Sequence, residues 1–245
     1  MSRLVYTEIW PNTALTTEVD DYAFQHVHKS SPGAQPPVDI LDKVYANQVA
    51  AGMPNIAVSE NQGKFLQVQC RIANAKHVLE FGTLAGYSTL YMVHATPQTK
   101  VTTIEVNPDF AQVARANFEL AQVADRITIL EGRGVDVVAK LLEDFHAGKV
   151  EPFDVTFIDA DKISNWIYFD HAVQMSRSGA IVIVDNIARG GDSGPIVWPS
   201  MQQEPSVIGC REVIEKAGAD PRVSASLLQT VGGKNYDGML ICVKL

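Results

Sequence analysis

Acidic and amide side chains end two stretches of this sequence that have the apolar character of buried strands. Asp159, Asp161 and Lys162 follow the run FDVTFI, and Asp185 with Asn186 follows AIVIV. If the two runs are adjacent parallel strands, Asp159, Asp185 and Asn186 meet at one edge of the sheet and offer three oxygen ligands. Hard divalent ions prefer oxygen ligands and usually leave positions open for water or substrate. A salt-bridged structural cluster is the alternative for FIDADK taken alone, because ionisable groups beside buried sequence need partners.

A glycine-bearing turn follows an earlier apolar run in the segment VLEFGTLAGYST. The run ends in Glu80 and leads through Gly82 and Gly86 into a helix, and glycines at such a turn let a ligand approach the backbone closely. The spacing E-x-G-x-x-x-G differs from the G-x-G-x-x-G of dinucleotide sites. A carboxylate here would repel a pyrophosphate but could pair with the amino group of a methionine moiety. S-adenosylmethionine is therefore favoured over a nicotinamide cofactor, with a purely structural turn as the alternative.

A second carboxylate ends the next apolar run, KVTTIEV, in which Glu105 comes about twenty residues after the glycine turn. A carboxylate at this place can accept hydrogen bonds from both hydroxyls of a ribose. A solvated acid at a strand end is the alternative for Glu105 alone. Combined with the glycine turn, the pattern favours the ribose role.

Charge and cysteine content narrow the classes of partner. The net charge is −8 and the chain has no run of Lys and Arg that could neutralise successive phosphates, so a small-molecule substrate is favoured over nucleic acid. Cys70, Cys210 and Cys242 are far apart and odd in number, which indicates a reducing compartment. The first residues lack the apolar core of a signal peptide, and no apolar stretch is long enough for a membrane span, so we expect a cytoplasmic location.

The chain is organised as a helical start followed by alternating strands and helices. Apolar residues recur at helical spacing over residues 18–28, 40–48 and 61–72, and Ser59 is a plausible cap for the third helix. We predict seven strands in the segments HVLEF, KVTTIEV, ITILEG, FDVTFIDA, AIVIVDN, VSASLLQT and DGMLICVKL. The last two, joined by VGGKNY, suit an antiparallel hairpin at one edge of a parallel sheet covered on both faces. We expect a single domain over residues 1–245, with 1–75 as a helical extension and 76–245 as the core.

The segments VLEFGTLAGYST, VTTIEVNP, FDVTFIDADK, AIVIVDN and LQTVGGKNYDGMLICVKL together resemble the cation-dependent small-molecule O-methyltransferases, the family of the catechol and caffeoyl-coenzyme A methyltransferases. The resemblance covers roughly residues 54–245 and keeps the order and spacing of all five segments. It implies an α/β fold with a Rossmann-like class I methyltransferase sheet, seven-stranded and mostly parallel, with an antiparallel last strand and helices on both faces. It also implies a homodimer.

The resemblance further assigns roles to individual residues. The implied contacts of S-adenosylmethionine are Ile56, Val58, Glu80, Gly82, Thr83, Ser88, Glu105, Gly134, Asp159 and Asp161. The implied metal ligands are Asp159, Asp185 and Asn186, and Lys162 matches the general base. The metal is expected to be Mg²⁺, with Ca²⁺ or Mn²⁺ as alternatives.

The expected reaction is metal-dependent methyl transfer to one hydroxyl of a vicinal-diol phenol of catechol, caffeoyl or flavonoid type. A bound cation lowers the pKa of a coordinated hydroxyl. Lys162 can take the proton only if its own pKa is lowered, which a nearby cation and partial burial would both do. Two alternatives stay open at this point, a methyltransferase-like binding protein without activity and a nicotinamide-dependent oxidoreductase.

Overall fold

Three helices precede the first strand. The computed structural model describes residues 13–31, 33–189, 194–232 and 236–245. The first helices are α1 (Thr13–Phe24), which continues into a π-helical turn at Gln25–Lys29, α2 (Val38–Ala50) and α3 (Glu60–Ile72). The three predicted helices are therefore present, and each begins earlier than predicted. Residues 1–12 of the predicted helical extension lie outside the described residues.

Helix α3 begins at a reciprocal cap. The Ser59 hydroxyl accepts a hydrogen bond from the Gln62 N–H at 3.3 Å, and the Gln62 side chain accepts one from the Ser59 N–H at 3.0 Å. This capping box satisfies two N–H groups that the first turn would otherwise leave unpaired. The predicted cap is confirmed, and it fixes the entry of the chain into α3 directly after Val58.

The remaining elements alternate between strand and helix. They are β1 (His77–Phe81), α4 (Tyr87–Val93), β2 (Lys100–Glu105), α5 (Pro108–Leu120), β3 (Ile127–Glu131), α6 (Gly134–His146), β4 (Phe153–Ile158), α7 (Asn165–Met175), β5 (Ser176–Val184), α8 (Pro205–Ala219), β6 (Val223–Val231) and β7 (Tyr236–Lys244). None of the described helices is both long and apolar enough to cross a membrane.

The seven strands form one sheet in the order β3-β2-β1-β4-β5-β7-β6. Strand β7 is antiparallel to β5 and β6, and the other neighbouring pairs are parallel. The predicted antiparallel last strand and the hairpin at one edge are confirmed, with Val231 paired to Tyr236 at the turn. Residues 233–235 of the predicted connection lie outside the described residues.

Both faces of the sheet are covered by helices, as predicted. Side chains on one face, such as Val78 and Val155, pack with α2, α3, α4 and α5. Their sequence neighbours Leu79 and Thr156 point the other way, where Leu79 and Phe81 pack with α6, α7 and α8. Two separate cores therefore hold the sheet, and the ends of the strands are left to form a site.

Strand β5 starts earlier than the apolar pattern predicted. Ser176 already pairs with Phe153, and the register then shifts so that Ile181 pairs with Val155. Gly179 has a φ of +77°, a backbone conformation that residues other than glycine rarely adopt. The first four residues of the strand, 176–179, are polar or glycine, so the apolar run of the sequence marked only its second half.

The order of the strands opens a cleft between β1 and β4. From β1 the chain builds towards one edge through β2 and β3, and from β4 it builds towards the other edge. The backbone hydrogen bonds between neighbouring strands continue past the strand ends. The Asp159 N–H donates to the Phe81 carbonyl at 2.9 Å, and the Asp185 N–H donates to the Ile158 carbonyl at 2.9 Å. Ligands of open α/β sheets bind beyond the carboxyl ends of the strands at such a reversal point.

We expect Gly86→Ala to destabilise the protein more than Gly148→Ala. Both glycines have a left-handed φ, of +86° and +70°, but a Cβ at Gly86 would lie 2.3 Å from the Phe118 ring, whereas Gly148 has no heavy atom within 4 Å. Backbone strain costs about 1–2 kcal/mol at either position. Overpacking adds about 1–3 kcal/mol at Gly86 alone. Urea denaturation measures the difference, and equal losses in the two variants would contradict the packing role of Gly86.

Candidate functional site

A cavity of about 700 Å³ lies over the carboxyl ends of β1, β2, β4 and β5. All of the predicted site residues except Glu80 line it. They are Ile56, Val58, Gly82, Thr83, Ser88, Glu105, Gly134, Asp159, Asp161, Lys162, Asp185 and Asn186. The structure therefore brings residues from six segments of the chain into one site.

Glu80 lies behind the cavity wall and is fully buried. Its two carboxylate oxygens accept hydrogen bonds from the Ser88 hydroxyl at 2.6 Å and the Thr89 hydroxyl at 2.5 Å. The pKa of Glu80 is raised to about 7, because burial, helped by the charge of Asp159, outweighs the lowering effect of the hydroxyl donors. In this arrangement Glu80 holds the first turn of α4, and its predicted contact with a cofactor stays a prediction.

Glu105 joins the end of β2 to the glycine turn after β1. Its Oε2 accepts from the backbone N–H groups of Thr83 at 3.2 Å and Leu84 at 2.8 Å, and its Oε1 accepts from Asn107 at 2.9 Å. These bonds stabilise Leu84, whose φ of +51° is uncommon for a side chain of this size. A carboxylate offers roughly four acceptor positions, so Glu105 keeps capacity for a further donor.

Asp161, Gly134 and Tyr168 form one wall of the cavity. The Tyr168 hydroxyl donates to Asp161 Oδ1 at 2.5 Å, and burial together with Asp161 raises the pKa of this tyrosine, so it stays a donor. A Cβ at Gly134 would lie 2.5 Å from the same hydroxyl, so a larger residue there would force the Tyr168 side chain to move. The sequence did not identify Tyr168, since an aromatic residue inside a helix usually signals only core packing.

The three predicted metal ligands meet in the cavity from two neighbouring strands. Asp159 follows β4, and Asp185 and Asn186 follow β5. Asn186 has a left-handed φ of +55°, and its N–H donates to Asp185 Oδ1 at 2.8 Å. Among the described residues, no group of three or more His, Cys, Asp or Glu side chains could hold a metal ion. The set in this cavity has two carboxylates and an amide oxygen, which are donors that suit a hard cation.

Lys162 brings a positively charged side chain into this cavity. Its side chain is 9% exposed, and its Nζ lies 2.9 Å from Asp159 Oδ1. Burial lowers the pKa of Lys162, but the carboxylates of Asp159 and Asp185 raise it and outweigh the burial. The residues around Lys162 therefore do not by themselves give it the lowered pKa that a general base needs.

Burial acts on the pKa of Asp185 in the direction opposite to its effect on Lys162. Asp185 is almost fully buried, and burial raises its pKa, as does the charge of Asp159. Lys162 and the Asn186 N–H lower it again. A carboxylate in this position needs added positive charge to stay ionised at neutral pH.

Asp237 is a further cavity residue that the sequence interpretation missed. It is 5% exposed at the start of β7, and its Oδ1 accepts from the Gly238 N–H at 2.9 Å and the Ala188 N–H at 3.3 Å. Because β7 runs against the other strands, its first residues lie at their carboxyl ends. The predicted reversal of the last strand was therefore the signal that could have identified Asp237.

Comparison with known proteins relates this chain and its fold to enzymes. A family model described as O-methyltransferase matches residues 30–245. A catechol O-methyltransferase from Niastella koreensis is 42% identical over 79% of this chain and 84% of that protein. The structure of an O-methyltransferase from Bacillus cereus in complex with SAH has a TM-score of 0.83 and 38% identity, over 95% of this chain and 100% of that one. The O-methyltransferase TomG from Streptomyces achromogenes, in complex with SAM, has a TM-score of 0.84 and 31% identity, over 96% and 99%.

We expect Glu80→Gln to change how the stability of the ligand-free protein depends on pH. The folded protein binds the Glu80 proton more tightly than the unfolded chain, with a pKa of about 7 against 4.5. The wild type should therefore lose stability as the pH rises from 4.5 through 7, by at most roughly 3 kcal/mol.

Glu80→Gln lacks this titration, so its stability relative to the wild type should improve across the same pH range. Urea denaturation at several pH values measures the gap, with the exposed Glu119→Gln as the control. A gap that does not change with pH would contradict the proposed burial effect.

Proposed function

This chain belongs to the O-methyltransferase family, and we propose that it transfers a methyl group from S-adenosylmethionine to one hydroxyl of a small phenol with two neighbouring hydroxyls, using a divalent cation. Mg²⁺ is the proposed cation, with Ca²⁺ and Mn²⁺ as alternatives. The name of the Niastella koreensis relative and the SAH and SAM of the two solved structures support the proposed acceptor and cofactor. The predicted family is confirmed, and the oxidoreductase alternative is set aside.

One observation carries the proposal. Lys162, Asp159 and Asp185 with Asn186 line the same cavity as the glycine turn that follows β1. The proposed base, the proposed oxygen ligands and the glycine turn therefore share one cavity. The proposed cation-dependent methyl transfer would use these three parts together.

The donor chemistry of the cavity fits both proposed ligands. Asp159, Asp185 and the side-chain oxygen of Asn186 are hard donors that could fill part of a coordination shell and leave positions for two acceptor oxygens. Binding of a cation there would compensate the buried charge of Asp185, whose pKa is raised. Glu105 and Asp161 offer carboxylates for the hydroxyl and amino groups of S-adenosylmethionine.

The proposed roles of the protein's own groups follow from their geometry. When bound, the cation would lower the pKa of a coordinated phenol and offset the carboxylates that raise the pKa of Lys162, and S-adenosylmethionine would supply the methyl group. Lys162 Nζ would then accept the phenolic proton, with Asp159 holding the side chain in place at 2.9 Å. Fixing the reactants in attack geometry could supply about 7–11 kcal/mol of the barrier reduction.

The charge of the cavity favours a neutral or cationic acceptor. Five of its lining residues are carboxylic acids, namely Glu105, Asp159, Asp161, Asp185 and Asp237. Lys162 is the one cationic residue among the described residues of the lining, and it is paired with Asp159. We therefore propose that an anionic substituent on the acceptor is disfavoured.

An acceptor panel tests the proposed function. Methyl transfer is measured with S-adenosylmethionine on catechols that carry neutral, ammonium or carboxylate side chains, on caffeic acid and its coenzyme A ester, and on polyhydroxylated flavonoids. We expect turnover on vicinal diols, its loss after EDTA treatment and its return with Mg²⁺. A lower KM is expected for the ammonium catechol than for the carboxylate catechol, with the difference reduced by salt.

Matched monohydroxy phenols serve as the control, because they cannot chelate the cation through two oxygens. Absence of turnover on every vicinal diol would reject the acceptor class and favour a binding protein without activity. Full turnover after EDTA treatment would reject the role of the cation.

We expect both Lys162→Ala and Lys162→Arg to lower kcat by about 10²–10⁴, the range typical of general-base catalysis. The arginine variant keeps the positive charge beside Asp159 but cannot accept a proton at neutral pH. Affinity for S-adenosylmethionine, measured by calorimetry, should change little in either variant. An arginine variant with wild-type kcat would show that Lys162 contributes charge and not proton transfer.

A further inference from the structure

Helix α8 packs directly against the turn that carries Lys162. A Cβ at Gly209 would lie 2.1 Å from the Lys162 carbonyl oxygen and 2.9 Å from Ile163 Cα. Any larger residue at Gly209 would force the turn to move, because real Cβ atoms do not approach backbone atoms so closely. The backbone of α8 is therefore the support on which the Lys162 turn rests.

The next residue of α8 links this turn to the loop of the proposed metal ligands. Cys210 is fully buried, and its Sγ accepts a hydrogen bond from Asn165 Nδ2 at 3.7 Å. The same thiol donates to the Asn186 carbonyl oxygen at 3.8 Å. Asn165 is the first residue of α7 and follows the turn Lys162–Ser164 directly. The thiol thus lies between the segment of the proposed base and the backbone of a proposed ligand.

Asn186 is the residue whose position needs such support. Its φ of +55° is a left-handed conformation, which asparagine tolerates better than most residues but still at a cost in energy. Its N–H is held by Asp185 Oδ1 and its carbonyl oxygen by the Cys210 thiol. Thiol hydrogen bonds are weak, but in a buried site no water replaces a bond that is lost.

We propose that Cys210 is a positioning residue that holds Asn186 in the geometry for cation binding and couples it to the Lys162 turn. The inference rests on the proposed function, since it concerns the affinity of that same site for a divalent cation. Cys210 acts through the backbone of Asn186 and neither binds the cation nor reacts. Removal of a group that hydrogen-bonds to a metal ligand commonly weakens metal binding about 10–100-fold.

Cys242 provides a matched control for ordinary core packing. It is as fully buried as Cys210 and belongs to the same hydrophobic core. It lies within β7 opposite Val182 of β5, in the middle of the sheet and not at the carboxyl ends. If Cys210 only filled space, removal of either sulfur would have the same consequences.

The experiment compares Cys210→Ala, Cys210→Ser and Cys242→Ala in the full chain. Mn²⁺ binding is measured by electron paramagnetic resonance without acceptor, alongside Tm and the affinity for S-adenosylmethionine. We expect Cys210→Ala to weaken Mn²⁺ binding about 10-fold, the lower end for such partners because a thiol is a weak donor. Cys242→Ala should lower Tm but leave Mn²⁺ affinity unchanged. Cys210→Ser keeps a donor and should recover part of the affinity.

Equal Mn²⁺ affinity in Cys210→Ala and Cys242→Ala would overturn the inference while leaving the proposed function intact. A wild-type protein that methylates diols but binds no Mn²⁺ would overturn the inference together with the role of the cation. If Cys210→Ala does not fold, Cys210→Val, which fills the volume without a donor, decides the question in the same way.

Discussion

The backbone contact between Gly82 and Asp159 fixes the distance between the two halves of the site. A Cβ at Gly82 would lie 2.2 Å from the Asp159 carbonyl oxygen, and the Asp159 N–H donates to the Phe81 carbonyl at 2.9 Å. The turn after β1 and the acidic end of β4 are therefore as close as two backbones can be. Whatever binds to the glycine turn is held beside Asp159 and Lys162, so the strand pairing that builds the fold also sets the geometry of the proposed reaction.

Burial of like charges is the second constraint, and it follows from the first. Carboxylates from several strand ends are gathered where little water reaches them, and burial raises the pKa of Glu80, Asp185 and Asp237. Such an arrangement lowers the stability of the ligand-free protein. A cation and a sulfonium compound would supply the missing positive charge, so the features that cost stability are the ones that would favour the proposed ligands. Shifted pKa values of this kind are common at functional sites.

The sequence predicted the seven strands and the residues at their carboxyl ends, because an apolar run that ends in polar residues such as Asp-Asn is a local pattern. It could not predict contacts between distant segments. The start of β5 was missed because its first residues, 176–179, are polar or glycine, and only the pairing of Ser176 with Phe153 reveals them as part of the strand. The burial of Glu80 behind the cavity depends on Ser88 and Thr89 turning back from α4, and the role of Asp237 depends on the direction of β7. These features are set by packing between elements and not by the order of residues within one.

The antiparallel last strand has a consequence for how the site is supported. The Ile187 N–H donates to the Gly238 carbonyl at 3.0 Å, so the chain after Asn186 stays attached to β7, while α8 supports it from behind through Cys210. Further along, Val197 and Trp198 are 72% and 54% exposed and do not belong to the cavity lining. The proposed ligands thus lie where the connection is bonded to β7 and α8, and exposed side chains follow further along the chain. Exposed loop residues of this kind commonly vary among proteins of one fold, whereas the residues bonded to the sheet keep the site in place.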